Sequence, residues 1–495
     1  MLIENNSDAD LCDVNGCSPL YMACQEGHTD IAKLLLEKSP NVDLCDKDGC
    51  SPLYKAIQEG YSDIAMLLLE KNPNVDLCDK DGCSPLFKAC QHGHTSIAKL
   101  LFEENPKVDL CDVNNCSLLC MACRQGHADI AKLLLEKGSN VDLCDKDGRS
   151  PLYMACQQGH TDIAKLLLQK SPNVDLCDKD GCSPLYMACQ QGHTYIVKII
   201  LESHPNVDLC DIAGKSPLYI ATSKGHIDIV GILLEKQPDV NLSDKLGYSP
   251  LYLASLNGNA DLVRMLLDSH SNVDQCCMDG FSPLIIACAK NNISIVKLLL
   301  KHKPNINSQT FDGSTALYLS ALEGHVEVIQ LLLINTADLN ISVHSKQYLI
   351  DTLDNLLGIT LDKLKTHLYS RLLNSRFSKG TVYVEGKSKD YVFDLVTCFS
   401  PLHIACFLGR TDVIRCLLDH NVDINMTKED GTTPLFYACE VGHKDIVQLL
   451  LDSGADSNMC REDGKSPLNI ATENGHASVG MMITKHRQKK ETISS

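Results

Sequence analysis

Apolar and polar positions alternate along this chain in a pattern that closes on itself. Leu20, Ala23 and Cys24 make one apolar face of a short helix, and Ile31, Leu34 and Leu35 continue with the same spacing before Glu37 and Lys38 break the run. Ser18 and Pro19 open the first helix, with a capping hydroxyl followed by the imino acid that tolerates the first helical position. Gly27 ends it, and a second helix starts near Asp30. Pro40 to Asp43 leave that helix, and Asp46-Lys47-Asp48-Gly49 form a turn into the next apolar set.

The turn glycine marks the period. It falls at Gly16, Gly49 and Gly82, is Asn115 once, and returns at Gly148, Gly181, Gly214, Gly247, Gly280 and Gly313, each step being 33 residues. After a gap the register resumes at Cys398, Gly431 and Gly464, which makes thirteen units. Two helices of eight to ten residues do not hold in water alone, so neighbouring units must share one continuous core.

The chain resembles the ankyrin repeat family. The family's turn glycine, Thr-Pro-Leu start, small pair, Gly-His and leucine-rich second helix stand here as Gly431-Thr432-Thr433-Pro434-Leu435, Ala438-Cys439, Gly442-His443 and Leu449-Leu450-Leu451. Ser400-Pro401-Leu402-His403 keeps the family's histidine, whereas most earlier units carry tyrosine there. The resemblance implies an all-α ankyrin-repeat solenoid of helix-turn-helix units with β-hairpin fingers. Pro19, Gly27, His28, Gly49, His160, His193 and His443 are then structural positions. The Gly-His histidine is expected to bond backbone and set one unit against the next.

The expected organisation is a partial unit over 1–15, ten repeats over 16–344, an insertion over 345–397, three repeats over 398–485 and a frayed, basic polar tail over 486–495. The start reads as the end of a further unit, as if the array began earlier. In the insertion, Leu353, Leu356 and Leu357, then Leu361, Leu364, Leu368 and Leu372, suggest two amphipathic helices divided near Gly358. Val382 and Val384, Gly386, then Tyr391 to Val396 suggest a small β-hairpin. Insertions in such arrays tend to leave on one face, so this one is a candidate for binding or self-docking.

Composition narrows the function. Lys and Arg total 45 against 63 Asp and Glu, a net charge of −18, which disfavours nucleic acid as the main partner. No run approaches the roughly 18 apolar residues of a membrane span, and the start lacks a signal-peptide pattern. The 26 cysteines then read as thiols of a reducing compartment, the cytoplasm, with the basic Lys485 to Lys490 as an alternative nuclear address.

Cys24 and His28 lie four apart, as two metal ligands could, but Gly27 interrupts the helix between them and Cys24 occupies a buried small-residue position. Finger pairs such as Cys45/Cys50 and Cys177/Cys182 could bridge or collect soft metal, yet Arg149 and Lys215 replace partners without compensation. No catalytic constellation, cofactor-binding motif or metal site is expected. The expected role is a scaffold for a protein partner, read through Tyr21, Met22, Gln25, Tyr153, Met154, Tyr186, Met187, Tyr219 and Tyr252 on the first-helix and finger surface, or through the insertion. The alternative is a structural spacer or sensor array in a larger multidomain or channel protein.

Overall fold

A computed structural model of the chain describes residues 9–353, 360–375 and 378–494. Among the described residues thirty helices account for nearly all regular structure, and they fall into two compact lobes that divide between Leu242 and Ser243.

Each repeat builds two short helices in succession, as Pro151–Gln158 and Thr161–Leu168, of 8 residues each, show. Ser150 begins the first: its Oγ accepts the Tyr153 amide at 3.1 Å, and Pro151 follows with no amide to satisfy. Gly159 ends it with φ +81°. Within a lobe, first helices stack on first helices and second on second. Leu152, Ala155, Cys156, Ile163, Ala164 and Leu167 are all buried between neighbours. The buried small pair lets helices approach closely, and Cys fills an Ala-sized place there without strain.

Since Ser150 is itself 1% exposed, no water replaces its cap. Ser150→Ala is expected to cost about 1 kcal/mol. Urea unfolding followed by circular dichroism measures it.

The fingers differ from the expected β-hairpins. Among the described residues no strand forms, and the isolated bridges Cys111–Ser117 and Gln309–Thr315 are the most that the fingers reach. The turn aspartate takes the place of a strand ladder. Asp178 Oδ1 accepts the amides of Asp180 at 3.0 Å and Cys182 at 2.8 Å, and the Asp178 amide bonds Cys182 O at 3.1 Å, so side chain and backbone close the turn together without a longer ladder. Successive fingers are linked backbone to backbone, with the Lys80 amide on Asp48 O at 2.9 Å and the Lys179 amide on Asp147 O at 2.8 Å. Gly49 needs both its φ of +82° and its missing Cβ there, since a Cβ would lie 3.2 Å from Cys78 O.

The insertion leaves from a finger. The Val343 amide bonds Phe399 O at 3.0 Å and the Cys398 amide bonds His344 O, so the chain departs after His344 and returns at Cys398. Beneath it the stack is closed: helix Ala316–Glu323 packs directly on Pro401–Leu408, and Val326–Ile334 on Thr411–Leu418.

Between those points the described helices are Lys346–Leu353, Leu361–Asn374, Lys379–Val384 and Lys389–Val396. The two expected amphipathic helices overlap the first pair. The Leu353 side chain, Leu356, Leu357 and Gly358 lie outside the described residues. The expected hairpin is a helix pair instead. Ser378 and Ser388 cap the two helices, and Val392, Phe393 and Val396 are buried at helical spacing. The basic tail is likewise not frayed but the end of one helix, Ala477–Ser494.

Candidate functional site

Six of the repeated histidines, His127, His160, His226, His325, His443 and His476, are straps between repeats, whereas His94 Nε2 is buried without a hydrogen-bond partner among the described residues. His160 Nε2 lies 3.4 Å from Arg124 O, and His443 Nε2 lies 3.0 Å from Phe407 O, each carbonyl 36 residues upstream. The ring rests on the glycine of the preceding repeat, so a Cβ on Gly159 would come within 2.6 Å of His193 Cε1. His28 is exposed, and its Gly27 has φ +74°. At the first repeat after the insertion Arg410 replaces the histidine, and its Nε donates to Leu322 O at 3.3 Å. The strap therefore survives both the substitution and the insertion.

The expected partner-binding tyrosines are placed inside. Tyr21, Tyr153, Tyr186, Tyr219 and Tyr252 are 2–6% exposed. Their position, three residues after the capping serine, aims the ring at the next finger. There Tyr21 donates to Asp46 at 2.6 Å, Tyr54 to Asp79 at 2.5 Å, Tyr153 to Asp178 at 2.8 Å and Tyr186 to Asp211 at 3.1 Å. Burial, joined by this carboxylate, pushes each of these four phenols up. The tyrosine thus ties one repeat to the next finger, as His403 does through Nε2 to Thr432 O at 3.2 Å. An aspartate 25 residues after the tyrosine was the sequence signal for this pairing.

Met154 and Met187 are buried as well, while Met22 is 41% exposed and Gln25 half-buried. Repetition of the Tyr-Met pair reflects the core in these repeats. One turn further on, the first helices of the N-terminal lobe carry a half-buried row of Gln25, Gln58, Gln91, Gln157 and Gln190, with Arg124 in register, beside exposed residues such as Glu26, Gln158 and Gln191. Exposed finger-tip residues Val14, Val113 and Ile212 stand beside charged tips such as Lys80, whose ammonium pairs with Asp48 at 2.5 Å.

All 26 thiols are free, and burial pushes Cys50 and Cys83 up to about 12 and Cys116 to about 11, so at neutral pH these three stay protonated. Cys45 donates its S–H to Asp43 O at 3.4 Å. Among the described residues no group of three or more His, Cys, Asp and Glu could hold a metal ion. No helix among them is long and apolar enough to cross a membrane.

The description of tandem ankyrin repeats in sets of three matches residues 1–77, 71–143, 119–211, 202–276, 269–343, 386–459 and 402–492. The chain belongs to the ankyrin repeat family. No curated protein matches it. Among solved structures, the crystal structure of the human ASB11 ankyrin repeat domain is 30% identical, covering 44% of this chain and 98% of its own, with a TM-score of 0.40. Ankyrin repeats generally mediate protein–protein interaction.

Proposed function

We propose that this ankyrin array is a scaffold that grips a protein partner along the first-helix and finger face, without catalysis. The observation that supports it most is the division of labour within each repeat. Tyrosine, histidine, serine and turn aspartate are engaged in bonds that build and join the repeats, whereas the side chains of the glutamine row are half-buried and bond within their own repeat, as Gln58 does with Lys55 and Gln91 with Lys88. Five amides in register, with Arg124 between Gln91 and Gln157, suit a partner segment that crosses several repeats, since an amide both donates and accepts. The acidic balance of the chain favours a segment with basic residues.

Arginine placed at Gln58, Gln91 and Gln157 is expected to weaken partner binding at least tenfold while leaving urea unfolding unchanged. Recovery of the partner from lysate by full-length chain and by this variant, each checked by circular dichroism, measures it. Undiminished recovery by a folded variant would move the contact off this row.

A further inference from the structure

The first-helix face changes character in the C-terminal lobe. The positions that carry glutamine in the N-terminal lobe become Leu322, Phe407 and Glu440, and those one residue later become Leu408 and Val441. All five are buried, Phe407 completely, whereas Gln25 and Gln157 are half-buried. The insertion lies over the later ones: its Lys379–Val384 helix packs on the first helices Pro401–Leu408 and Pro434–Val441, which carry Phe407, Leu408, Glu440 and Val441.

The fit is specific at three points. A Cβ on Gly380 would fall 2.4 Å from Phe407 O, so only glycine allows that crossing. Three residues on, the Tyr383 hydroxyl donates to Glu440 Oε1 at 3.1 Å, and its ring meets Phe407 edge-on at 6.0 Å. Tyr391 Oη lies 3.4 Å from Tyr383 Oη. Finally Lys428, 8% exposed, donates through Nζ to Asp394 O at 3.1 Å, Leu395 O at 2.8 Å and Tyr437 Oη at 3.2 Å. A buried ammonium thus receives the carbonyl end of the Lys389–Val396 helix, the end that favours positive charge.

Two features make this a cover rather than part of the stack. Repeats ten and eleven close on each other beneath it through the Arg410 strap and both helix pairs, so the array is complete without it. The apolar row also runs past it, to Leu256 and Ala289, which are half-buried.

We propose that the first-helix face of repeats eleven and twelve is a helix-binding groove, held in cis by residues 378–396, which accepts from a partner protein a short helix with a small residue at the crossing and tyrosine three positions later. The inference rests on the protein-binding reading and names a second surface for it, distinct from the glutamine row. The occupant's chemistry is that of the segment seated there. Leucine at position 380 evicts that segment without altering any groove residue.

The test uses full-length protein and a fluorescent synthetic peptide of residues 378–397, followed by anisotropy. Gly380→Leu is expected to bind the peptide at least tenfold more tightly than the wild-type chain, and adding Glu440→Gln is expected to return at least fivefold of that gain. Tyr383→Asp, which sets a carboxylate against Glu440, should open the groove likewise and carries the test if Gly380→Leu does not fold. Equal binding by wild-type and opened chains, or no binding by an opened chain with a wild-type circular dichroism spectrum, overturns the proposal. Neither result depends on the glutamine row, so failure of the partner reading is seen separately, in the arginine variant.

Discussion

Tyr153→Ala is expected to destabilise the N-terminal lobe by about 3–5 kcal/mol, the range for emptying a buried aromatic site. Tyr153 is 3% exposed, and its hydroxyl holds Asp178, the residue that also closes the next finger. Removing it leaves a cavity and releases one side of the turn. Tyr153→Phe keeps the ring and loses only the hydrogen bond, so about 1 kcal/mol is expected. Stability in a repeat array is a sum of local and neighbour terms, so the loss should broaden or split the unfolding transition. Urea unfolding by circular dichroism gives both numbers. If Tyr153→Ala left stability unchanged but abolished partner binding, the ring would be a partner contact after all.

The C-terminal lobe is expected to lose stability in mild acid through His403. This ring is fully buried, with Nδ1 against Ser400 Oγ at 2.8 Å and Nε2 facing Thr432 O. Desolvation holds its pKa at about 4 rather than 6.5, with Lys428 lowering it further and the Thr432 carbonyl and Asp430 opposing. A depressed histidine means that the unfolded chain takes its proton first. Its contribution is present above pH 6.5 and is lost as pH falls from 6.5 to about 4, to the extent of about 3 kcal/mol. His443, also lowered by burial, adds in the same direction, while Glu440, raised by burial, acts in the opposite one. His403→Gln isolates the contribution: the loss of stability between pH 7 and pH 4.5 should be smaller than in the wild type by about 2 kcal/mol, the part of that amount lost before pH 4 is reached. An identical pH dependence in the two proteins would remove His403 from the account.

The stack was legible from the sequence because each local signal agrees with the global one. Ser150-Pro151 caps, Gly159 ends, and Ile163 with Leu167 faces the core, repeat after repeat. The insertion was half legible. The β-branched Val382 and Val384 and the aromatic-rich Tyr391 to Val396 favour strands in isolation, but tertiary burial overrides that preference. The overlooked signs were Ser378 with Thr381, which form a capping box, and Ser388 with Asp390 in the first turn. The tyrosines misled for a different reason. Tyrosine is a good interface residue in general, and only the aspartate 25 positions later, in the next repeat's finger, shows that the interface is internal. The change from Gln190 and Gln191 to Phe407 and Leu408 was open to the same reading, because apolar residues at an otherwise polar position imply a cover.

The central claim is that the glutamine row, not the buried tyrosines or the outer second helices, meets the partner. Site-specific photocrosslinking tests it most directly, with the probe at Gln58 and Gln157 on the row and at Lys99 and Lys198, which are exposed on second helices. The account predicts crosslinked partner from Gln58 and Gln157 and none from Lys99 and Lys198. Crosslinks confined to Lys99 and Lys198 would contradict it.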